Sequence, residues 1–349
     1  MPGSRTVKPL DDSRTAPAAV IFGVAGTELT SWERAFFREV KPAGFILFRR
    51  NIDNPGQLTR LARELKENLG EAEVPILIDQ EGGRVQRLRP PHWSALPPMG
   101  LYGELARRDV ERGRRGVWLQ ARLIADDLHR VGITVNCLPC LDLRLPATHE
   151  VIGDRAFGED PEVVALLGRA ACAGLLAGGV APVIKHMPGH GRADLDSHEC
   201  LPRVDADRES LQADFAPFRR LADQAWGMTA HIVFTALDPD HPATQSPIII
   251  RDVIRGDIGF DGLLVSDDIN MEALSGPLGQ RARASLAAGC DLVLHCSGIA
   301  REMEEVAAAV QPLSPAGQRR LVRGRPATPQ DFDRKNALEE LQALAGAVS

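Results

Sequence analysis

VAPVIKHMPGHGRADLDSHECLP, residues 180–202, carries the pattern that decides the fold. Its first part, Val180–Ile184, is apolar at every position. It stops at Lys185 and His186. A loop follows, punctuated by Pro188, Gly189 and Gly191, that carries His190, Asp194, Asp196, His198 and Glu199. A short run without alternation suits a strand covered on both faces, as in a parallel sheet flanked by helices. Titratable groups at its C-terminal end suit a site built there, where the loops of such sheets gather.

The same unit recurs on either side. Seven further apolar runs are Ala19–Val24, Gly44–Phe48, Val74–Ile78, Ile133–Leu138, Gly227–Val233, Gly262–Val265 and Asp291–Leu294. Helix-like segments separate them: Ser31–Val40, Pro55–Leu69, Leu105–Val131, Pro161–Ala177, Arg208–Gln224, Pro247–Ile258, Met271–Gly289 and Ile299–Val310. In the second of these, Leu58, Leu61, Ala62, Leu65 and Leu69 keep helical spacing. Asn54-Pro55, Asp160-Pro161 and Ser246-Pro247 each place a capping side chain before a proline at the first helical position. Eight strand–helix units predict an α/β fold of the TIM (β/α)8 barrel type. An open doubly wound sheet would carry GxGxxG after its first strand, and Gly23-Val-Ala-Gly26-Thr does not fit. A last helix is expected over Asp331–Leu344.

The 349 residues are 44 % apolar and 25 % charged with a formal net charge of -6, ordinary values for a globular chain able to bury a full core. No block of like charge points to nucleic acid or an anionic membrane, and no run of about 18 apolar residues suggests a span. The six cysteines lie mostly in apolar runs, and the Cys137–Cys140 pair has no second pair to complete a zinc site. Residues 1–16 read as a flexible tail without an apolar leader core, and residues 17–349 as one barrel domain with a C-terminal helix. The expected protein is cytoplasmic and monomeric and works without a cofactor.

In a barrel the strands' C-terminal ends share one mouth. The third contributes Asp79, Arg84 and Arg87; the loop after the fourth, Arg155. The fifth contributes Lys185, His186, Asp196 and His198; the sixth, His231; the seventh, Asp267 and Asp268. The strand starts carry few such groups, which points to an enzyme. Structural alternatives stand beside this reading. Asp79 can cap the next turn, although Gly82-Gly83 implies a close backbone approach there. His231 can be a core histidine with satisfied hydrogen bonds. Asp267 or Asp268 can cap the helix expected from Met271. Neither HxH nor HExxH occurs, so no metal is expected, and the set suits a polar ligand such as a sugar.

KHMPGHG followed by DSH, with IDQEGGRVQR, VIGDRAFGEDP, MTAHIVFTALDP and VSDDINMEAL, resembles the bacterial members of glycoside hydrolase family 3. The likeness spans residues 19–310 and is nearest to single-domain β-N-acetylglucosaminidases of peptidoglycan recycling. It implies a TIM barrel, Asp267 as nucleophile, His198 as acid/base and Asp196 as its partner. It implies that Asp79, Arg87, Arg155, Lys185 and His186 bind N-acetylglucosamine. Gly189 and Gly191 are expected to let the His198 loop close. His190 receives no chemical role. A metal-dependent hydrolase using His186, His190, His231 and Asp267, or a sugar-binding barrel without catalysis, are the rival readings.

Overall fold

The computed structural model describes residues 16–346. Of the expected tail only Ala16 falls within that range, and residues 347–349 of the expected domain lie outside it. Eight strands form a closed parallel barrel: β1 (Ala18–Gly23), β2 (Pro42–Leu47), β3 (Ile76–Ile78), β4 (Val135–Asn136), β5 (Ala181–Met187), β6 (Trp226–Thr229), β7 (Leu263–Asp268) and β8 (Leu292–His295). They pair in chain order, and β8 closes the ring on β1 with Val20 opposite Val293. Each expected apolar run overlaps one barrel strand.

The unbroken apolar runs divide between two cores because successive strand residues point to opposite faces. Ile21, Leu77, Val183, Val265 and Leu292 fill the barrel interior. Val20, Phe22, Ile76, Ile78, Ile184, Leu264 and Val293 face outward into the layer packed by the helices. No barrel strand has a solvent face, so none shows polar alternation.

The helices are α1 (Ser31–Val40), α2 (Pro55–Leu69), α3 (Gly100–Arg108), α4 (Val110–Arg130), α5 (Pro161–Ala177), α6 (Leu211–Arg220), α7 (Leu278–Ala288), α8 (Ala300–Ala307), α9 (Pro315–Arg323) and α10 (Arg334–Gly346). A wide π-type helix, Ile249–Asp257, lies between α6 and α7. All three cap–proline pairs behave as expected. Asn54 accepts the Gln57 N–H, Asp160 accepts those of Glu162 and Val163, and Ser246 Oγ accepts that of Ile249.

Two expected helices differ. The segment over 105–131 is two helices, since Asp109 turns extended and its carboxylate caps α4 through the N–H groups of Glu111 and Arg112. The helix expected from Met271 begins only at Leu278. Gly276 adopts a positive φ of 84° and Pro277 precedes the first turn, so Met271, Ala273 and Leu274 are buried in an irregular connection.

The end opposite the mouth is closed by the chain's last third. Trp226 Nε1–H donates to the Gly324 carbonyl at 2.9 Å. Asp291 takes Arg255 at 2.9 Å and Arg320 at 3.0 Å. Backbone bonds from Ala19 to Gln311 and from Leu313 to Pro17 tie the start of β1 to this floor.

Candidate active site

The alternation that sorts the core also aims the site. Asp79, Lys185 and Asp267 each lie two residues beyond an interior side chain, namely Leu77, Val183 and Val265. All three therefore face the axis one layer above the apolar plug.

The first cluster joins β3 to β5. Lys185 Nζ lies 3.0 Å from Asp79 Oδ1 and 2.7 Å from Glu81 Oε1. Arg155 grips Glu81 through two parallel bonds of 2.9 Å, the bidentate geometry that suits guanidinium and carboxylate. Burial works to raise the Glu81 pKa, but Arg155 and Lys185 outweigh it and hold the carboxylate well below its ordinary range. Burial likewise opposes the charge on Lys185, and Glu81 and Asp79 more than restore it. Arg87 reaches Asp79 at 3.5 Å and lies over the Phe48 ring, 5.6 Å from its centroid.

Glu81 was not among the sequence candidates, yet it links two residues that were. Arg84 was a candidate, and it points away from the cluster. It bonds Asp154 and the carbonyls of Glu150, Val151 and Ile152, so it holds the turn that presents Arg155. The close approach at Gly82-Gly83 comes from the protein itself. A Cβ on Gly82 would strike the Pro97 carbonyl and the Gln120 amide, and one on Gly83 would strike Pro98.

The second cluster centres on Asp142, also absent from the sequence candidates. Its Oδ1 accepts the backbone N–H of His186 at 3.2 Å and of His190 at 2.7 Å. Its Oδ2 meets His186 Nδ1 at 2.7 Å and accepts from the Cys140 thiol at 3.2 Å. Burial pushes its pKa up, and His186 with these bonds drives it well below the usual value. An ionised Asp142 requires a proton on His186 Nδ1, which leaves Nε2 for other contacts. Cys140, Asp142 and His186 form the one group among the described residues with three potential metal-ligand atoms within 4.8 Å. Four hydrogen bonds to the carboxylate account for that closeness.

At the end of β7, Asp267 Oδ1 accepts the Asp268 N–H at 2.8 Å. Burial would raise its pKa, but the imidazoles of His186 and His231 and this bond keep it below the ordinary value. Its neighbour behaves oppositely: desolvation pushes Asp268 up to about 6, with Asp267 adding to the rise. Asp268 Oδ1 accepts from the N–H groups of Asn270 and Cys296, so it caps the irregular connection instead of a helix. His231 is buried with both ring nitrogens engaged, Nδ1 with Thr244 Oγ1 at 2.7 Å and Nε2 with the Asp268 carbonyl at 3.0 Å. That is the core-histidine alternative, placed beside Asp267.

The loop after β5 has a packed part and an outer part. Gly189 and Gly191 are not free hinges. A Cβ on Gly189, whose φ is 140°, would press on Asp214, and one on Gly191 would strike the Leu143 carbonyl. His190 and Ala193 are buried with them. Leu195 and His198 are exposed, the His198 side chain by 64 %. His198 Nδ1 lies 2.7 Å from Asp196 Oδ1, which also accepts the His198 N–H at 2.9 Å. The ring's Nε2 is therefore the free edge.

Comparison with known proteins finds chains similar in sequence and in fold. Residues 25–321 match the model of the glycosyl hydrolase family 3 N terminal domain. A β-hexosaminidase of Alkalilimnicola ehrlichii is 42 % identical over 88 % of this chain and 89 % of its own. Another, from Bordetella avium, is 40 % identical over 84 % of each chain. Among solved structures, NagZ from Neisseria gonorrhoeae in complex with N-trifluoroacetyl-D-glucosamine superposes with a TM-score of 0.87 at 33 % identity, covering 95 % of this chain and 99 % of that one.

Proposed function

The chain belongs to glycosyl hydrolase family 3, and from that premise we propose that it is a retaining exo-β-N-acetylglucosaminidase acting on muropeptides of the GlcNAc-anhydroMurNAc type in cell-wall recycling. The observation that carries the chemistry is Asp267. It is a carboxylate kept ionised at the end of β7, aimed at the barrel axis, with one oxygen tied down by the Asp268 N–H. Its other oxygen attacks the anomeric carbon. The glycosidic C–O bond breaks, and the leaving oxygen takes a proton from His198 Nε2. The product is a covalent glycosyl ester on Asp267. Water then attacks the same carbon, His198 takes its proton, and Asp267 is released.

The His198–Asp196 contact supports this role, because a carboxylate on Nδ1 stabilises the imidazolium that donates and reclaims the proton. His198 stands in solvent, so the outer loop closes over the sugar before transfer. Asp79, Arg87, Lys185, Arg155 and His186 hold the sugar's hydroxyl and N-acetyl groups. Asp79 pairs with Arg87 and Lys185, Glu81 with Arg155 and Asp142 with His186, and these pairs set the side chains' positions before the sugar arrives.

No helix among the described residues is long and apolar enough to cross a membrane. The six cysteines are free thiols, which supports a reducing, cytoplasmic setting. A monomer is the proposed state, to be checked by light scattering.

The test uses aryl N-acetylglucosaminides and a muropeptide. Asp267→Ala should abolish turnover, and a fluorosugar that slows hydrolysis of the intermediate should label the peptide carrying Asp267. His198→Ala should lower kcat/KM steeply for a weakly acidic phenol and little for a dinitrophenol, which leaves without protonation. NMR should show the β-anomer first. An α-anomer, or wild-type turnover in Asp267→Ala, refutes the nucleophile assignment.

A further inference from the structure

His190 lies between the packed and outer parts of the loop after β5 and has no place in the reaction above. Its side chain is buried. Its backbone N–H donates to Asp142 Oδ1 at 2.7 Å, the carboxylate whose other oxygen holds His186. Its ring meets the His186 ring edge to face, with centroids 5.7 Å apart. Nε2 lies 3.3 Å from Ser197 Oγ, and the buried Nδ1 has no partner. The lower-cost tautomer leaves Nδ1 as a bare acceptor and has Nε2–H donate to Ser197, since an orphaned buried donor is the rarer state.

Ser197 separates Asp196 from His198 and is only 3 % exposed, while His198 stands in solvent. Among the described residues, the hydrogen bonds of Asp196, His198, Glu199 and Cys200 stay within the loop. The Ser197–His190 contact is the side-chain tie from this segment to the barrel. We propose that His190 is a positioning residue for His198. It is fixed to the Asp142–His186 pair that faces the sugar, it anchors Ser197, and so it sets the point from which the His198–Asp196 dyad swings in when the leaving oxygen needs its proton. The link holds through the neutral range, because burial pushes the His190 pKa down to about 4 and the ring stays uncharged.

This inference rests on His198 being the acid/base, and the experiment separates the two. kcat/KM is measured on a weakly acidic phenyl and on a dinitrophenyl N-acetylglucosaminide. His190→Ala and Ser197→Ala should each lose roughly ten- to a hundredfold on the first, the scale of a misplaced catalytic group. Each should lose less than about threefold on the second, where protonation is not needed. His190→Gln, which keeps an N–H near the Nε2 position, should recover most of the loss. The double variant should be no worse than the worse single variant, since both break one contact. Equal losses on both substrates, or none in Ser197→Ala, overturn the positioning role, even if His190→Ala folds poorly. If His198→Ala itself shows no leaving-group dependence, the acid/base assignment falls instead.

Discussion

Replacing Glu81 by Gln tests whether the mouth is assembled around this carboxylate. Glu81 is 2 % exposed and takes two bonds from Arg155 and one from Lys185. The substitution nearly preserves shape and removes the charge. Lys185 is then left with Asp79, and the largely buried Arg155 keeps only the Val151 carbonyl. Breaking a buried pair from one side costs about 3–5 kcal/mol, because a desolvated charge loses its partner. At ~2.1 cal/mol/K of unfolding entropy per residue, a chain of this length changes Tm by roughly 1.4 °C per kcal/mol, so a fall of about 4–7 °C is expected at pH 7. Adding Lys185→Met should restore part of it, since that variant removes a stranded cation with the anion. The pH dependence has a definite sign. A depressed carboxylate stabilises above its unfolded value, 4.5 here, and that stability is lost as pH falls through the folded value. The gap between wild type and variant should thus be full at pH 7 and shrink on acidification below 4.5. Differential scanning calorimetry at several pH values measures it. A Tm loss under about 2 °C at pH 7, or a double variant whose loss equals the sum of the singles, refutes the reasoning.

Asp268→Asn should act in the opposite direction. Its raised pKa of about 6 means the wild type loses stability as pH rises from 3.8 to 6, so Asn should stabilise above pH 6 and do little near pH 4. Asn keeps the oxygen that accepts from Asn270 and Cys296, and after discounting for partial exposure the gain is about 1–2 kcal/mol by thermal unfolding. Asp142→Asn should lower kcat/KM for N-acetylglucosaminides by roughly ten- to a hundredfold, the scale on which losing the carboxylate that orients a functional histidine is felt, while Tm falls by several degrees. Unchanged kinetics would mean that His186 does not depend on Asp142.

The barrel was readable because parallel strands buried on both sides leave unbroken apolar runs, and eight such runs allow few other closed arrangements. The helix starts marked by Asn54, Asp160 and Ser246 were readable because each cap precedes a proline. Ser314-Pro315 carries the same signature, with Ser314 Oγ accepting the Gly317 N–H, and opens α9, where no helix was expected. Asp109 was hidden among charged residues, although it caps α4. Gly276-Pro277 marked the true start of α7, but the apolar spacing of Met271 and Leu274 obscured it.

The site divides along similar lines. Asp79, Lys185 and Asp267 were readable because a charge directly after a buried strand must face something. Glu81 and Asp142 act on other side chains, and those partners lie 74 and 44 positions away in the chain. Asp142 did leave one trace: it sits between Leu141 and Leu143, and a carboxylate between two buried apolar residues needs a partner. The loop glycines misled, because glycine serves tight packing as readily as motion.

The floor formed by Trp226, Gly324 and the 311–313 segment also has a practical side. Residue 17 enters the barrel there, hydrogen-bonded through its carbonyl to Leu313, on the face opposite the reacting groups. A partner fused directly at residue 17 would therefore join at the floor, away from the mouth. A surface or resin joined at that residue leaves the opening pointing toward bulk solution, and a large substrate can reach it without the support in its way.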